Sequence, residues 1–370
     1  MDRNARFITK PMSIALDFVR LGAALVVLAG HAPEVIGYTG PYPLSEQAKH
    51  NAVVVFFVLS GLVIANSIRP TATLADYAIA RVARILPVSL LSLALGSLIY
   101  AASFVLPGAP MWHPGDTASL TLSGTLAPAL FLSESWWGSG PVWNPPYWSL
   151  CYEVWYYAMF AAAIFLRGVP RVAWLGLLAL IAGPKILLLF PVWLIGVALV
   201  KVQIAKTFSI TSALIAVVAS VLAFLRISDL AIPVSNWLIP ASGLDQHDFE
   251  FSQFFITDLA LGLCVALSFV ALRPLADRVA PWLERSEPLA RAGSGMSFTL
   301  YLLHWPMLCL LRSLGLNLGT SVPGFLAVLG GIIVVCAGIA RVTEYRQKAL
   351  RGVLQRLVKP RLTSPSPTYA

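Results

Sequence analysis

Charged residues are scarce in this sequence, making up 12% of its 370 residues. Hydrophobic residues reach 58%, and the mean hydropathy is +0.78. Both values lie far outside the range of soluble globular proteins. The scarcity of charge therefore excludes a soluble enzyme, and we expect most of the chain to lie within a lipid bilayer.

Cysteine is also scarce, and its positions exclude two further classes of protein. A disulfide framework and a zinc site both need cysteines at paired spacings. The four cysteines lie in separate apolar stretches without such spacing, so we predict neither, and we expect no bound metal. These residues are Cys151, Cys264, Cys309 and Cys336.

We expect no cleavable signal peptide at the start of the chain. The first apolar run, from Ile14 to His31, carries Asp17 and Arg20 where a signal peptide has its apolar core. No small-residue cleavage site follows this run. We therefore predict a helix that is retained in the mature protein.

Apolar runs of membrane-spanning length fill most of the chain. A helix needs about 20 mostly apolar residues to cross the hydrocarbon core. The sequence predicts an all-α, polytopic transmembrane helix bundle with about ten spanning helices. The predicted spans are residues 14–31, 51–68, 85–106, 148–166, 172–185, 186–200, 208–225, 252–272, 296–314 and 322–340.

Two further segments complete the predicted organisation. Leu120 to Leu132 is too short to span and contains Pro128, so we interpret it as re-entrant or interfacial. Residues 1–345 then form the transmembrane domain, and residues 346–370 form a basic cytoplasmic tail. The end of this tail, Thr363 to Ala370, is rich in Ser and Pro, and we expect it to be disordered.

The basic residues predict the orientation of the bundle. Short cytoplasmic loops are enriched in Lys and Arg. With the amino terminus inside, most of the 26 basic residues fall on the cytoplasmic side, and only Lys49, Lys185 and Arg226 lie outside. Both termini are then cytoplasmic. The net charge of +9 indicates topology and contact with anionic membrane lipid, not binding of nucleic acid.

The first span carries a stripe of polar residues. Arg20 and His31 are eleven residues apart, about three helical turns, so they share a face, and Asp17 lies one turn before Arg20. A charged residue in the bilayer costs about 2.5 to 3.5 kcal/mol and needs a reason. In the simpler interpretation Asp17 pairs with Arg20 and His31 is interfacial, but that does not explain the shared face.

Two other spans, and the predicted cytoplasmic loop between the second and third spans, carry further candidate functional residues. Glu153 stands at a depth similar to that of His31 and could orient its imidazole as a general base. Arg81 and Arg84 are either ordinary cytoplasmic charge or a phosphate site.

His304 is a structural or a catalytic histidine, with Asp258 as a possible partner. The other histidines, His50, His113 and His247, fall in outer loops, and we predict no role for them.

Taken together, five motifs resemble the acyltransferase 3 family of bacterial membrane O-acyltransferases over nearly the whole chain. They are LDFVRLGAALVVLAGH with Arg20 and His31, FFVLSGLVI, RVARILP with Arg81 and Arg84, WSLCYE with Glu153, and SFTLYLLHWP with Tyr301 and His304. The resemblance implies a multi-pass protein of the bacterial inner membrane that transfers an acyl group from acyl-CoA to a hydroxyl, most often on a carbohydrate or glycolipid.

The resemblance also implies roles for single residues. His31 is the catalytic residue, Arg20, Arg81 and Arg84 lie near the acyl donor, and Glu153 assists His31. Asp17, Tyr301 and His304 are additional candidates. Either direct general-base transfer or an acyl-histidine would suit these residues.

Two alternatives from other classes stay open. A transporter or flippase for a sugar or lipid-linked intermediate would also explain charge inside the membrane. It would not explain the cytoplasmic arginine pair together with an outward histidine on the face of Arg20. A membrane scaffold without chemistry leaves Arg20 and Glu153 unexplained.

Overall fold

The computed structural model describes residues 7–108, 122–136, 140–202 and 208–358, and every regular element in these ranges is helical. This confirms the predicted all-α fold class. The helices of the first part are α1 (Lys10–Ile36), α2 (Ala48–Ser67), α3 (Leu74–Ser103), α4 (Leu122–Ala129), α5 (Trp148–Phe165), α6 (Gly168–Ala182) and α7 (Pro184–Leu199). The helices of the second part are α8 (Ile210–Ser228), α9 (Ala231–Ser242), α10 (Gln246–Phe249), α11 (Phe255–Arg278), α12 (Ala280–Ser294), α13 (Ser297–Ser313), α14 (Val322–Ala340) and α15 (Gln347–Val358).

Local sequence signals set the ends of the helices that carry the candidate site. Helix α1 ends where Gly37 adopts the left-handed conformation, with φ of 62°, which costs a glycine little. Helix α3 begins with a capping box: the Thr73 hydroxyl accepts a hydrogen bond from the backbone of Asp76 at 3.1 Å, and the Asp76 carboxylate accepts from the Thr73 backbone at 3.4 Å.

Six helices are long and apolar enough to cross a membrane, or seven if the bent pair α12 and α13 forms one span, within the part of the chain that the structure describes. The predicted count of ten spans is therefore not confirmed. Helices α6 and α7 coincide with predicted spans but have only 15 and 16 residues. A straight crossing takes about 20 residues.

Helices α1 and α13 run in one direction through the bundle, and α2 runs in the opposite direction. We call the end of the bundle where α1 begins the proximal end, and the end where it finishes the distal end. Lys49, near the start of α2, contacts Glu34 near the end of α1, so these helices are antiparallel. The Arg312 guanidinium donates to the Val35 carbonyl at 3.0 Å, so α13 also finishes at the distal end.

Two glycines let α2 and α7 approach closely. A Cβ atom on Gly61 would overlap the carbonyl oxygen of Trp193, and one on Gly196 would overlap that of Val58. Small residues at a helix contact permit this backbone approach in membrane proteins. The contact holds α2, and with it Ser60 of the candidate site, against α7.

Two predicted segments fall only partly within the described residues. The predicted re-entrant segment, Leu120 to Leu132, contains α4, whose eight residues are too few to span a bilayer. The first two residues of the predicted segment lie outside the described ranges. The predicted tail contains α15, while the segment from Thr363 to Ala370 lies outside them. The structure therefore does not test the expected disorder of that segment.

Candidate active site

The histidine of the polar stripe pairs with a carboxylate of its own helix. His31 Nδ1 lies 2.6 Å from Glu34 Oε1, and Lys49 Nζ donates to Glu34 Oε2 at 2.6 Å. Because a carboxylate only accepts hydrogen bonds, Nδ1 carries the ring proton and Nε2 keeps its lone pair. His31 is thus held with a basic nitrogen free, and its side chain is 15% exposed.

A tyrosine of the loop after α1 lies close to this pair. The Tyr42 hydroxyl donates to the Ala29 carbonyl at 2.7 Å. Burial, together with the negative charge of Glu34, raises the pKa of Tyr42. The phenol therefore stays neutral and adds no negative charge beside Glu34.

A second imidazole lies against His31. The rings of His31 and His304 are nearly parallel, with centroids 5.3 Å apart, and Trp305 meets His31 edge-on at 5.0 Å. His304 is fully buried, and its Nδ1 lies 3.2 Å from the Leu300 carbonyl, which can only accept. Its Nε2 has no hydrogen-bond partner among the described residues. Both rings therefore carry an unprotonated nitrogen.

Glu153 is turned toward α2 and away from His31. Its carboxylate accepts a hydrogen bond from the hydroxyl of Tyr157 at 2.5 Å and another from Ser60. The Trp193 indole donates to the Ser60 hydroxyl at 3.2 Å. The predicted pairing of Glu153 with His31 does not form in the structure, because the carboxylate is bonded to Ser60 of α2 and Tyr157 of α5 instead.

Asp17 joins α1 to α12 at the proximal end. Its carboxylate accepts from Arg291 at 2.5 Å and from Ser294 at 2.7 Å, whereas Arg20 NH1 lies 4.0 Å away. Arg20 NH1 also donates weakly to Ser294, at 3.4 Å. Asp17 therefore contributes mainly to holding α12, and Arg20 keeps donors for another acceptor.

A narrow cavity extends from Arg20 to Tyr301, and the described residues that line it include neither His31 nor His304. Its volume is about 60 Å³, and its lining includes Arg20, Arg84, Glu153 and Tyr301. The Tyr301 ring centroid lies 6.1 Å from that of His304. A row of polar side chains therefore leads from the middle of α1 toward its distal end. It consists of Arg20, Arg84, Glu153, Tyr301, His304 and His31. Arg20 and His31 are about 16 Å apart along α1.

Arg81 is directed to a different space. Its guanidinium lies 5.7 Å from the ring centroids of both Tyr77 and Tyr157, and it lines a second cavity on the outer side of α3 and α5. The structure therefore places Arg20 and Arg84 at the first cavity and Arg81 at the second. The predicted donor-binding role of Arg81 is not tested by this placement.

Two expectations about histidines need correction. Asp258 is not the partner of His304: its carboxylate lies 3.0 Å from Nε2 of His50. His50 is also not in an outer loop, since it belongs to α2 and stacks on Trp148 at 6.0 Å. His113 lies outside the described residues. The pairing of Asp258 with His50 ties the start of α11 to the start of α2.

The residues that sequence reasoning missed are Glu34 and Lys49. Glu34 follows His31 by three residues, and residues at this spacing are neighbours on a helix. That signal was present in the sequence. Across the described ranges, no group of three or more His, Cys, Asp or Glu side chains is arranged to hold a metal ion.

The fold and this site define a multi-pass membrane protein with an internal row of ionisable side chains. The family profile described as Acyltransferase domain (Acyl_transf_3) matches residues 13–341. The chain belongs to the acyltransferase 3 family, and it is a membrane acyltransferase. Comparisons with curated proteins and with solved structures give no significant match.

Proposed function

We propose that this protein is an O-acyltransferase of the bacterial inner membrane that moves an acyl group, most simply acetyl, from cytoplasmic acyl-CoA to a hydroxyl of a cell-surface or secreted carbohydrate or glycolipid. The observation that carries this proposal is the row of polar side chains from Arg20 and Arg84 to His31. Such a row lets a donor enter at the proximal end and react near the distal end.

The charges support a cytoplasmic proximal end. Helix α12 lies at that end, since Glu287 is 3.2 Å from Lys10 of α1, and Tyr345 just before α15 donates to the Ala292 carbonyl of α12 at 3.0 Å. These two helices carry the basic residues Arg285, Arg291, Lys348 and Arg351. Cytoplasmic loops are the ones enriched in such residues. Acyl-CoA is a cytoplasmic anion, and guanidinium groups such as Arg84 and Arg20 suit its phosphates and amide carbonyls.

The proposed chemistry uses the free nitrogen of His31. Nε2 takes the proton of the acceptor hydroxyl while its oxygen attacks the thioester carbonyl. The new C–O bond forms as the C–S bond breaks, and the imidazolium returns its proton to the leaving thiolate. Glu34 stabilises the charged ring between these steps, the part that we had expected Glu153 to take. In an acyl-histidine route, Nε2 instead carries the acyl group between two such transfers.

The test is transfer of radiolabelled acetyl from acetyl-CoA in membrane vesicles. We expect His31→Ala to abolish transfer while acetyl-CoA still binds, because His31 lies about 16 Å beyond Arg20. We expect Arg84→Ala to weaken acetyl-CoA binding. The matched controls are His247→Ala and Arg346→Ala, which change exposed residues outside the cavity.

Labelling of a carbohydrate that both site variants lose would support the proposal. Labelling that does not depend on acetyl-CoA, or a His31→Ala protein with near-normal transfer, would overturn it. Retained thermal stability of each variant shows that loss of transfer does not come from unfolding.

A further inference from the structure

A second cavity lies between α3, α5 and α6, on the other side of Tyr157 from the first. Its volume is about 500 Å³, within the range of small-molecule sites. Its rim is open, since Leu74, Val82 and Trp174 are 46%, 39% and 52% exposed. In a membrane protein, exposed apolar residues at such a rim face lipid, so the cavity opens sideways into the bilayer.

The lining of this cavity is apolar apart from one charge. Ile85, Val154 and Ala158 are typical of its walls, and Arg81 is the only charged residue among the described residues that line it. Volume and lining together suit a hydrocarbon chain. They do not suit the nucleotide of acyl-CoA, which carries several phosphates.

Arg81 has donors that the described protein residues do not satisfy. Its Nε and NH1 atoms are buried without a hydrogen-bond partner among them. The rings of Tyr77 and Tyr157 attract the cation through their faces but accept no ordinary hydrogen bond. A buried charge inside a membrane needs an opposite charge or a polar partner. The charge of Glu153 acts on Arg81, but that carboxylate is hydrogen-bonded to Ser60 and Tyr157. An anion from outside the protein would accept hydrogen bonds from both unsatisfied atoms of Arg81.

The depth of Arg81 indicates the kind of anion. Helix α3 has 30 residues, so it is about 45 Å long and exceeds the ~30 Å hydrocarbon core by roughly 7 Å at each end if it is centred. Arg81 lies seven residues after Leu74, or about 10 Å along the helix. Its guanidinium is then within a few Å of the boundary between headgroups and acyl chains.

We propose that this cavity binds a glycerophospholipid of the proximal leaflet. The lipid phosphate accepts hydrogen bonds from Nε and NH1 of Arg81. One acyl chain then lies in the apolar part of the cavity, toward Ile85 and Val154. The site is distinct from the donor cavity, and Tyr157 forms the wall between them because it lines both.

The test is native mass spectrometry of the purified protein titrated with phosphatidylglycerol. We expect one lipid to stay bound, and Arg81→Gln to weaken its retention at least tenfold, because a charge-assisted contact to phosphate is lost. Arg81→Lys should restore part of it. Ala158→Phe should prevent binding by filling the cavity. The controls are Arg346→Gln, an exposed cation, and Val334→Phe on the exposed face of α14.

Acetyl-CoA binding by the same variants decides between occupants. If Arg81→Gln and Ala158→Phe lose lipid retention and keep their affinity for acetyl-CoA, the result supports the lipid site. This conclusion holds whether or not transfer from acyl-CoA is observed. Lipid retention equal to that of the unmodified protein in both Arg81→Gln and Ala158→Phe overturns it. So does a fall in acetyl-CoA affinity in both variants with lipid retention unchanged, because the cavity would then serve the donor.

Discussion

Replacing Glu34 by Gln is the sharpest test of how His31 is prepared for catalysis. The Glu34 carboxylate accepts two short contacts, from His31 Nδ1 and Lys49 Nζ, each at 2.6 Å. A glutamine has one acceptor oxygen and one donor nitrogen. If the oxygen faces Lys49, the amide nitrogen faces the imidazole, and His31 must move its proton to Nε2. In that tautomer Nε2 has no free lone pair, and the lone pair of Nδ1 is taken up by the glutamine amide, so Nε2 cannot accept the proton of the acceptor hydroxyl.

The size of the effect follows from the contact that is lost. A hydrogen bond to a charged group contributes about 1.5–3 kcal/mol, and each ~1.4 kcal/mol changes a rate tenfold. We therefore expect kcat for acetyl transfer to fall about 10- to 100-fold in Glu34→Gln. The KM for acetyl-CoA should change little, since Glu34 lies about 21 Å along α1 from Arg20.

The assay is the initial rate of transfer in vesicles over a range of acetyl-CoA concentrations. Glu46→Gln is the matched control, because Glu46 is an exposed carboxylate in the loop between α1 and α2. A kcat within twofold of the unmodified protein in Glu34→Gln would refute the reasoning. So would an equal loss in Glu46→Gln, which would point to the general charge of that surface.

Two further predictions concern packing and pairing at other places in the bundle. Gly61→Ala should destabilise the protein by about 1–3 kcal/mol, because a Cβ would overlap the backbone of α7. The control is Gly176→Ala, whose Cβ would meet nothing within 4 Å. Equal melting temperatures of the two variants would contradict this prediction. Asp258→Asn should lower the melting temperature, because it weakens the contact of a buried carboxylate with His50, and it should leave acetyl-CoA binding unchanged. Lost binding with normal melting would instead place that pair at the donor site.

The positions of the helices could be predicted well from the sequence, because the signals are local. Each predicted span coincides with a helix, and the predicted break at Pro184 separates α6 from α7. The shared face of Asp17, Arg20 and His31 also follows from helix geometry alone. The number of membrane crossings could not be predicted in the same way. It depends on whether short helices such as α6 pair or tilt within the bundle.

Contacts between helices were the part that sequence reasoning could not provide. Equal depth suggested that Glu153 faces His31, yet depth does not fix how each helix is rotated. Packing turns Glu153 toward Ser60 and Tyr157. Lys185 shows the same limit: the sequence marks it as a break between spans, whereas the structure buries it, 1% exposed, near the carboxylate of Glu134.

The two arginines of α3 show how a single motif can contribute to two sites. Three residues turn an α-helix by about 300°, so Arg81 and Arg84 differ by about 60° around its axis. Tyr157 lines both cavities, and its hydroxyl is anchored to Glu153 at 2.5 Å. A modest rotation is therefore enough to place one guanidinium in the narrow first cavity, with Glu153, and the other in the apolar second cavity. Arg84→Gln should then weaken acetyl-CoA binding and leave lipid retention unchanged. Arg81→Gln should weaken lipid retention and leave acetyl-CoA binding unchanged. If either variant loses both acetyl-CoA binding and lipid retention, Tyr157 does not separate the two cavities.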